Sequence, residues 1–292
     1  MSEQSGTTSD SPSAIDLDAY AARIGWTGPH EASVETLSAV QYAHLLAIPF
    51  ENLEPLGGAA PSLDVADLQS KLVHGGRGGY CYEHNSLLAA VFSALGFEVT
   101  TLAARVQVGA RGAVRPRTHM CLLVRSPDTG TPYLADAGFG APGALLEPVP
   151  LVPDTEHRQV GGRWRRLVCQ EPSGKQPLER WTLQAYEEGD GWADQYLFTL
   201  EPYEAPDFNV INWYAATHPR SPFHHTPRVM RVLPDGYRLL TGDAVHRARE
   251  DVGLTVQDIS ATDATELRRM LTEEFTLTLP DEPLPFGPPP TS

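Results

Sequence analysis

The chain is 292 residues long, 41% hydrophobic and 20% charged, with 37 acidic against 22 basic residues and a formal net charge of −15. That length can bury a substantial core, and at roughly 150 residues per domain it suggests two or three lobes. The acidic field disfavours a nucleic-acid partner, and nothing approaches the run of about 18 apolar residues that a membrane-spanning helix needs. The first residues, MSEQSGTTSDSPSA, lack the basic start and apolar stretch of a secretory signal. Three cysteines, Cys81, Cys121 and Cys169, with no CxxC, give neither a disulfide framework nor a zinc cage. A reducing cytoplasm fits best, and it would keep a working thiol free.

Residues 1–15 read as a disordered tail, and 16–96 as a helical lobe. Tyr20, Ile24, Leu37, Val40, Leu45 and Leu46 recur at near-helical spacing, and Ser33 with Glu35 and Thr36 reads as a helix start. Pro49 biases Ile48 away from helix, so IPFENLE predicts a turn or a short extended piece. Asp64 is a candidate cap for DVADLQSKLV, which ends at His74-Gly75-Gly76. The stretch RGGYCYEHNSLLAAVFSALG passes from a glycine turn into a strong helix.

From 97 to 205 the texture turns to β. FEVTTLAARVQV, HMCLLVRS, TPYLADAGF, RWRRLVCQE and WTLQAYE are short alternating or β-branched runs divided by Gly, Pro and Asp, as in a small barrel or curled sheet. Residues 206–279 read as a mixed α/β lid: helix PDFNVINWYAATHP, a hairpin with Asp235-Gly236 at its turn, and a helix starting near Thr262 or Asp263. Residues 280–292 hold six prolines and read as extended or disordered. The fold class is therefore α+β: an N-terminal helical bundle, a central β-barrel-like lobe and a C-terminal α/β lid.

Cys81 follows the turn Arg77-Gly78-Gly79-Tyr80 at the start of a helix. There, free backbone N–H groups and the helix dipole favour a thiolate and can receive an oxyanion. The plain alternative is a buried small hydrophobe, the usual state of a free cysteine. A thiolate nucleophile needs a base, and the base needs an orienting group. His119 opens the strand HMCLLV. Asp136 lies within the apolar run YLADAGFG, where a lone carboxylate is costly to bury, so His119 on a neighbouring strand would satisfy it through Nδ1. The plain alternatives are a structural histidine and a turn residue before Gly138.

His84 reads as structural, His224-His225 as a loop pair without metal, and Cys121 and Cys169 as core residues on strands. Arg105, Arg111, Arg115 and Arg117 read as solvated loop charge. Glu51 and Arg77 would form a buried ion pair bracing the nucleophile turn, with hydrogen bonds to Asn52 or Asn85.

The stretches ARIGWTG, LLAIPFENLEPLGG, RGGYCYEHNSLLAAVFSALGF, ARV, THMCLLV, YLADAGFG and ATHPRSPF resemble the arylamine N-acetyltransferases. They recur in order over most of the chain. The resemblance implies a three-lobed fold with a cysteine-protease-like triad: Cys81 as acylated nucleophile, His119 as base and Asp136 as orienting acid. It implies acetyl-CoA as cosubstrate without a metal, and an arylamine or hydrazine as acceptor. Val106, Phe139 and Phe223 would line the acyl or amine pocket, and Thr118 and Gly140 would lie near the coenzyme. Two departures stand out: ADAGFG where the family often has VDVGFG, and a proline-rich tail that matches no family motif. The alternative is an amide synthase of antibiotic biosynthesis that takes a carrier-protein-bound acyl chain; a cysteine hydrolase is a further rival. A homodimer is compatible with the sequence, which does not specify the oligomeric state.

Overall fold

The computed structural model describes residues 15–250 and 252–286. The first fourteen residues and 287–292, on which most of the tail expectations fall, lie outside the described residues.

Two capped helices open the fold. Asp16 caps α1 (Leu17–Ile24) by accepting from the Ala19 N–H at 2.9 Å, and Ser33 caps α2 (Val34–Ala47) by accepting from Thr36 N–H at 3.1 Å. Ile48 before Pro49 ends α2, and the chain extends into a two-residue strand, β1 (Phe50–Glu51), then a single turn, α3 (Leu53–Leu56). Helix α4 (Val65–Leu68) widens into π turns over Gln69–His74. Asp64 precedes it but makes no side-chain cap, so that expectation fails; its own N–H is held by Ser62 Oγ at 3.2 Å. The long helix α5 (Cys81–Ala94) buries Leu87, Leu88, Val91 and Phe92 completely. Each such side chain contributes about 1.5–3 kcal/mol.

The central sheet has eight strands and is nearly closed into a barrel: β2 (Glu98–Val106), β3 (His119–Arg125), β4 (Pro132–Ala135), β5 (Val149–Pro150), β6 (Glu156–Arg158), β7 (Trp164–Gln170), β8 (Arg180–Glu187) and β9 (Gly191–Phe198), ordered β5-β4-β3-β2-β9-β8-β7-β6. Strand periodicity explains how β3 works. Its even residues Met120, Leu122 and Val124 join the helical core, whereas Cys121 joins the barrel core with Leu102, Leu134, Leu183 and Tyr196. β3 is therefore clamped between α5 and the barrel.

After helix α6 (Ala205–Thr217), a second antiparallel sheet runs β1-β10-β11-β12-β13, with β10 (Arg228–Leu233), β11 (Gly236–Thr241), β12 (Ala244–Arg249) and β13 (Gly253–Asp258), backed by α7 (Ala264–Glu273). Leu233 pairs with Gly236, so the β10–β11 turn is Pro234-Asp235, one residue earlier than the sequence suggests. Asp263 caps α7 by accepting from Glu266 N–H at 2.9 Å. β1 belongs to the helical stretch of chain yet forms an edge of this last sheet, with Phe50 opposite Met230. The proline-rich segment is docked over its described part: Leu284 and Phe286 pack against the core around Leu271 and Phe275, and Arg268 Nη1 donates to Glu282 O at 3.0 Å. Over residues 280–286 the chain is therefore ordered without regular secondary structure, which fits the extended reading of the tail rather than the disordered one.

Candidate active site

Cys81 is the first residue of α5, and the elements around it fix the turn that delivers it. A Cβ on Gly78 would sit 2.1 Å from Pro49 O, so only glycine lets the two backbones touch there. Glu83 Oε2 accepts from Tyr80 N–H at 3.0 Å, while Lys71 Nζ joins Glu83 at 2.6 Å and Glu54 at 2.8 Å. Arg77 binds Glu51 Oε1 through Nη2 at 2.6 Å and Nε at 3.0 Å, and Glu51 Oε2 accepts from Leu53 N–H at 2.7 Å. The pair forms as expected, but Asn52 and Asn85 stay out of it and serve elsewhere.

His84, one turn along α5, ends a buried relay. Its Nε2 lies 3.2 Å from Pro49 O, and a carbonyl can only accept, so Nε2 carries the proton. His84 Nδ1 then accepts from His44 Nε2 at 2.8 Å, and His44 Nδ1 accepts from Tyr20 O–H at 2.8 Å. Both rings are neutral: burial pulls His84 down to about 4 and His44 well below its ordinary value. His84 is a brace for the Pro49 turn.

His119 and Asp136 meet at 2.7 Å, through Nε2 and Oδ2. The ring is turned over relative to the sequence expectation of an Nδ1 bond, because β3 packs against α5, which brings the His119 ring and the Cys81 thiol to one cleft wall. The thiol lies 3.9 Å from Thr118 O. Asp136 Oδ1 accepts from Asn85 Nδ2 at 2.9 Å and Gly138 N–H at 2.8 Å, and Gln41 Oε1 holds the Asp136 N–H at 3.0 Å. Asn85 also donates to Met120 O at 2.7 Å and accepts from Ala137 N–H at 3.0 Å. One helix thus carries both the thiol and, four residues on, the amide that orients the carboxylate.

Burial alone would lower the affinity of His119 for its proton, but the Asp136 charge and hydrogen bond, with Cys81, override it and lift the ring to about 10. Burial tends to raise Asp136, yet His119, Asn85 and Gly138 hold it below the usual carboxylate range. His119 is therefore cationic at neutral pH. Phe139 and Tyr196 cover the ring at centroid distances of 5.2 and 4.8 Å. A Cβ on Gly138 would fall 2.6 Å from Cys81 Cα, so this glycine sets the distance between nucleophile and acid.

Cys81 and His119 open onto a cleft of about 640 Å³, a volume suited to a small-molecule ligand. Val106, Thr118, Phe139 and Phe223 all lie on its wall, whereas Gly140 does not: it sits behind the wall against Phe50. Asn52 shapes the opposite side. Its Nδ2 donates to Phe223 O at 3.0 Å and Thr226 O at 2.9 Å, and its Oδ1 accepts from Arg228 N–H at 2.7 Å. Arg115, Arg220 and Arg228 line the cleft, and among the described residues no Asp or Glu does. The sequence reads Arg115 as solvated loop charge; it instead lines the cleft, and its Nη2 donates to Gly109 O at 2.6 Å. Among the described residues no cluster of His, Cys, Asp or Glu could hold a metal ion.

The N-acetyltransferase family model matches residues 33–283. The arylamine N-acetyltransferase of Escherichia coli K12 is 34% identical over 265 residues, covering 91% of this chain and 90% of that protein. That of Mycolicibacterium smegmatis is 40% identical over 248 residues, covering 80% and 84%. The crystal structure of the Nocardia farcinica arylamine N-acetyltransferase superposes with a TM-score of 0.82 at 39% identity, covering 91% of this chain and 90% of that one. The Mycobacterium marinum enzyme in complex with CoA superposes with a TM-score of 0.80 at 33% identity, covering 90% and 93%. On this agreement of sequence and fold over nearly their full lengths, the chain belongs to the arylamine N-acetyltransferase family.

Proposed function

We propose that the protein transfers an acetyl group from acetyl-CoA to an arylamine or hydrazine through a Cys81 thioester. One observation carries this reading: Cys81 and His119 share the wall of one largely apolar cleft, and Asp136 holds His119 Nε2 from behind at 2.7 Å.

Cys81 attacks as a thiolate paired with the His119 imidazolium, which Asp136 keeps charged and aimed. The carbonyl oxygen becomes an oxyanion, met by first-turn N–H groups of α5, those of Cys81 and Tyr82 among them, which have no intrahelical acceptors. The CoA thiolate leaves and takes the proton from His119, so the acetyl-enzyme carries a neutral ring. An uncharged amine then attacks the thioester. His119 accepts the amine proton and Cys81 departs as thiolate, which restores the ion pair. Arylamines suit the second step because they stay neutral near pH 7. Arg115 and Arg220 give the cleft a positive sign within an acidic protein, and a coenzyme bearing phosphates would be drawn to it.

A helical lobe (16–96) would carry Cys81, a β-lobe (97–205) His119 and Asp136, and an α/β lid (206–279) would close the cleft; the element order supports this division. No helix among the described residues is long and apolar enough to cross a membrane, and three free thiols suit a reducing cytoplasm. Initial rates against acetyl-CoA at several arylamine concentrations test the scheme. Parallel double-reciprocal lines are expected. Intersecting lines, or turnover only with a carrier-bound acyl donor, would overturn it.

A further inference from the structure

Glu83 sits in the first turn of α5, two residues past Cys81, and its side chain is 1% exposed. Both of its carboxylate oxygens face donors. Oε2 accepts from Tyr80 N–H at 3.0 Å, on the residue before the nucleophile, and Oε1 accepts from Lys71 Nζ at 2.6 Å. The turn is shaped around this carboxylate: a Cβ on Gly79 would lie 2.8 Å from Glu83 Cβ and 2.9 Å from its Oε2. Glu83 thus ties the π turns that carry Lys71 to the peptide that leads into Cys81.

The charges around it do not balance. Glu51 from β1, Glu54 from α3 and Glu83 from α5 face Lys71 and Arg77, three carboxylates against two cations. Arg77 is spent on Glu51, so Lys71 is shared between Glu83 and Glu54, the latter at 2.8 Å and 35% exposed. Tyr80 keeps its phenolic proton through burial, and His84, next along the helix, is neutral. Burial, opposed by Lys71 and seconded by Glu51 and Glu54, lifts the Glu83 carboxyl to about 7. A proton arriving there must sit on an oxygen that already faces a donor. On Oε2 it displaces Tyr80 N–H. On Oε1 it displaces Lys71, which falls back on Glu54, and Tyr80 is left with a neutral acceptor of roughly half the strength.

Resting on Cys81 as the acylated nucleophile, we propose that Glu83 is a positioning residue: with Lys71 it forms a proton-sensitive clamp on the Cys81 turn, and acylation slows when Glu83 is protonated. Glu83 is not on the cleft wall, so it acts through Tyr80 and touches no substrate. The triad ring leaves neutrality free, because His119 holds its proton up to about 10.

The test follows acylation of Cys81 by 4-nitrophenyl acetate, an ester that does not itself titrate, through the mass of the quenched protein between about pH 6 and 8. The wild-type rate is expected to fall roughly 5-fold toward the acid end, with its midpoint near 7. Glu83→Gln has one amide oxygen for two donors, so it should react roughly 10-fold more slowly at the alkaline end and stay flat across the range. Glu54→Gln removes a carboxylate that raises Glu83 and leaves Lys71 to Glu83 alone, so the midpoint should move to lower pH. Alkylation of Cys81 by iodoacetamide needs the thiolate but no oxyanion geometry, and it should show no fall near 7. Without any turnover, the Tyr80 amide signal read by NMR should shift with the same midpoint in wild type and stay fixed in Glu83→Gln.

A flat wild-type profile, a limb retained in Glu83→Gln or a matching limb in alkylation would overturn the proposal. Should Glu83→Gln fail to fold, Glu54→Gln decides, and a midpoint that is unmoved or raised overturns it. A wild type never acylated at Cys81 refutes the thioester reading instead. The Tyr80 signal then still decides Glu83, and one that does not titrate near 7 overturns the clamp.

Discussion

Asp136→Asn tests the wiring more sharply than deletion of the carboxylate would, because the structure dictates how the amide must sit. Asn85 Nδ2 and Gly138 N–H both donate to the Oδ1 position, so the asparagine carbonyl oxygen must occupy it. Its NH₂ group then takes the Oδ2 position, 2.7 Å from His119 Nε2 in the native geometry. Two N–H donors cannot face each other, so the ring gives up its Nε2 proton and keeps one on Nδ1, its other nitrogen. The ring is now neutral, burial opposes recharging it, and it presents a donor where it must accept the proton of the thiol or the amine. A tautomer reversal of this kind costs a triad about 10⁴ in kcat, equivalent to about 5.5 kcal/mol of transition-state stabilisation.

The resting thiol reports the same change without turnover. Alkylation of Cys81 by iodoacetamide depends on the paired ring, so it should slow by roughly an order of magnitude in the variant. Acetyl transfer and alkylation would be measured on variant protein whose circular dichroism matches wild type. Activity above a tenth of wild type, or alkylation within about 3-fold of it, would refute the argument that Asp136 fixes the ring through Nε2.

Further outcomes follow from the same contacts. The folded value of His119, about 10, lies above its unfolded value near 6.5. Its pairing therefore stabilises fully below 6.5 and is lost as pH rises toward 10, whereas Asp136, held low, contributes above the ordinary carboxylate range near 4. The stability gap between wild type and Asp136→Asn, measured by urea unfolding, should be widest between about pH 4 and 6.5 and shrink toward pH 10; a gap that widens above pH 8 would contradict this. Gly138→Ala forces a Cβ to 2.6 Å from Cys81 Cα, backbone against backbone. It should cost about 1–3 kcal/mol of stability and on the order of 100-fold in kcat/KM, and near-native kinetics would show that the distance is not set there. Asn52→Ala removes three hydrogen bonds from the Phe223–Arg228 segment, so hydrogen exchange should accelerate in that segment and KM should rise, while iodoacetamide reacts with Cys81 at the native rate. An unchanged exchange pattern would count against Asn52 as the organiser of that wall.

What was legible in the sequence was mostly local. The glycine turn and the helix start behind Cys81 are neighbours in the chain, and the Ser33 cap follows from residues three apart. The burial cost of a lone Asp136 correctly demanded a partner, and His119 was the available strand residue. Which ring nitrogen meets the carboxylate depends on how β3 lies against α5, and no spacing in the sequence carries that. Asn85 has a local signal in its i+4 relation to Cys81, but Gln41 and Arg228 reach the site from remote elements and have no local signature. Asp64 looks like a cap, yet loses its role because its side chain makes no bond back to the helix. β1 is two residues long, too short for alternation to show, and its partner β10 lies far along the chain. The prolines suit the non-helical course of residues 280–286, but composition alone could not show that Leu284 and Phe286 find an apolar surface.

The most direct test of the central claim is the intact mass of the protein after brief exposure to acetyl-CoA, with Cys81→Ser alongside. A single acetyl adduct on wild type, absent from the variant and discharged by an added arylamine, is the expected result. A folded wild-type protein that stays unmodified, or a variant that is acetylated equally, would contradict Cys81 as the nucleophile.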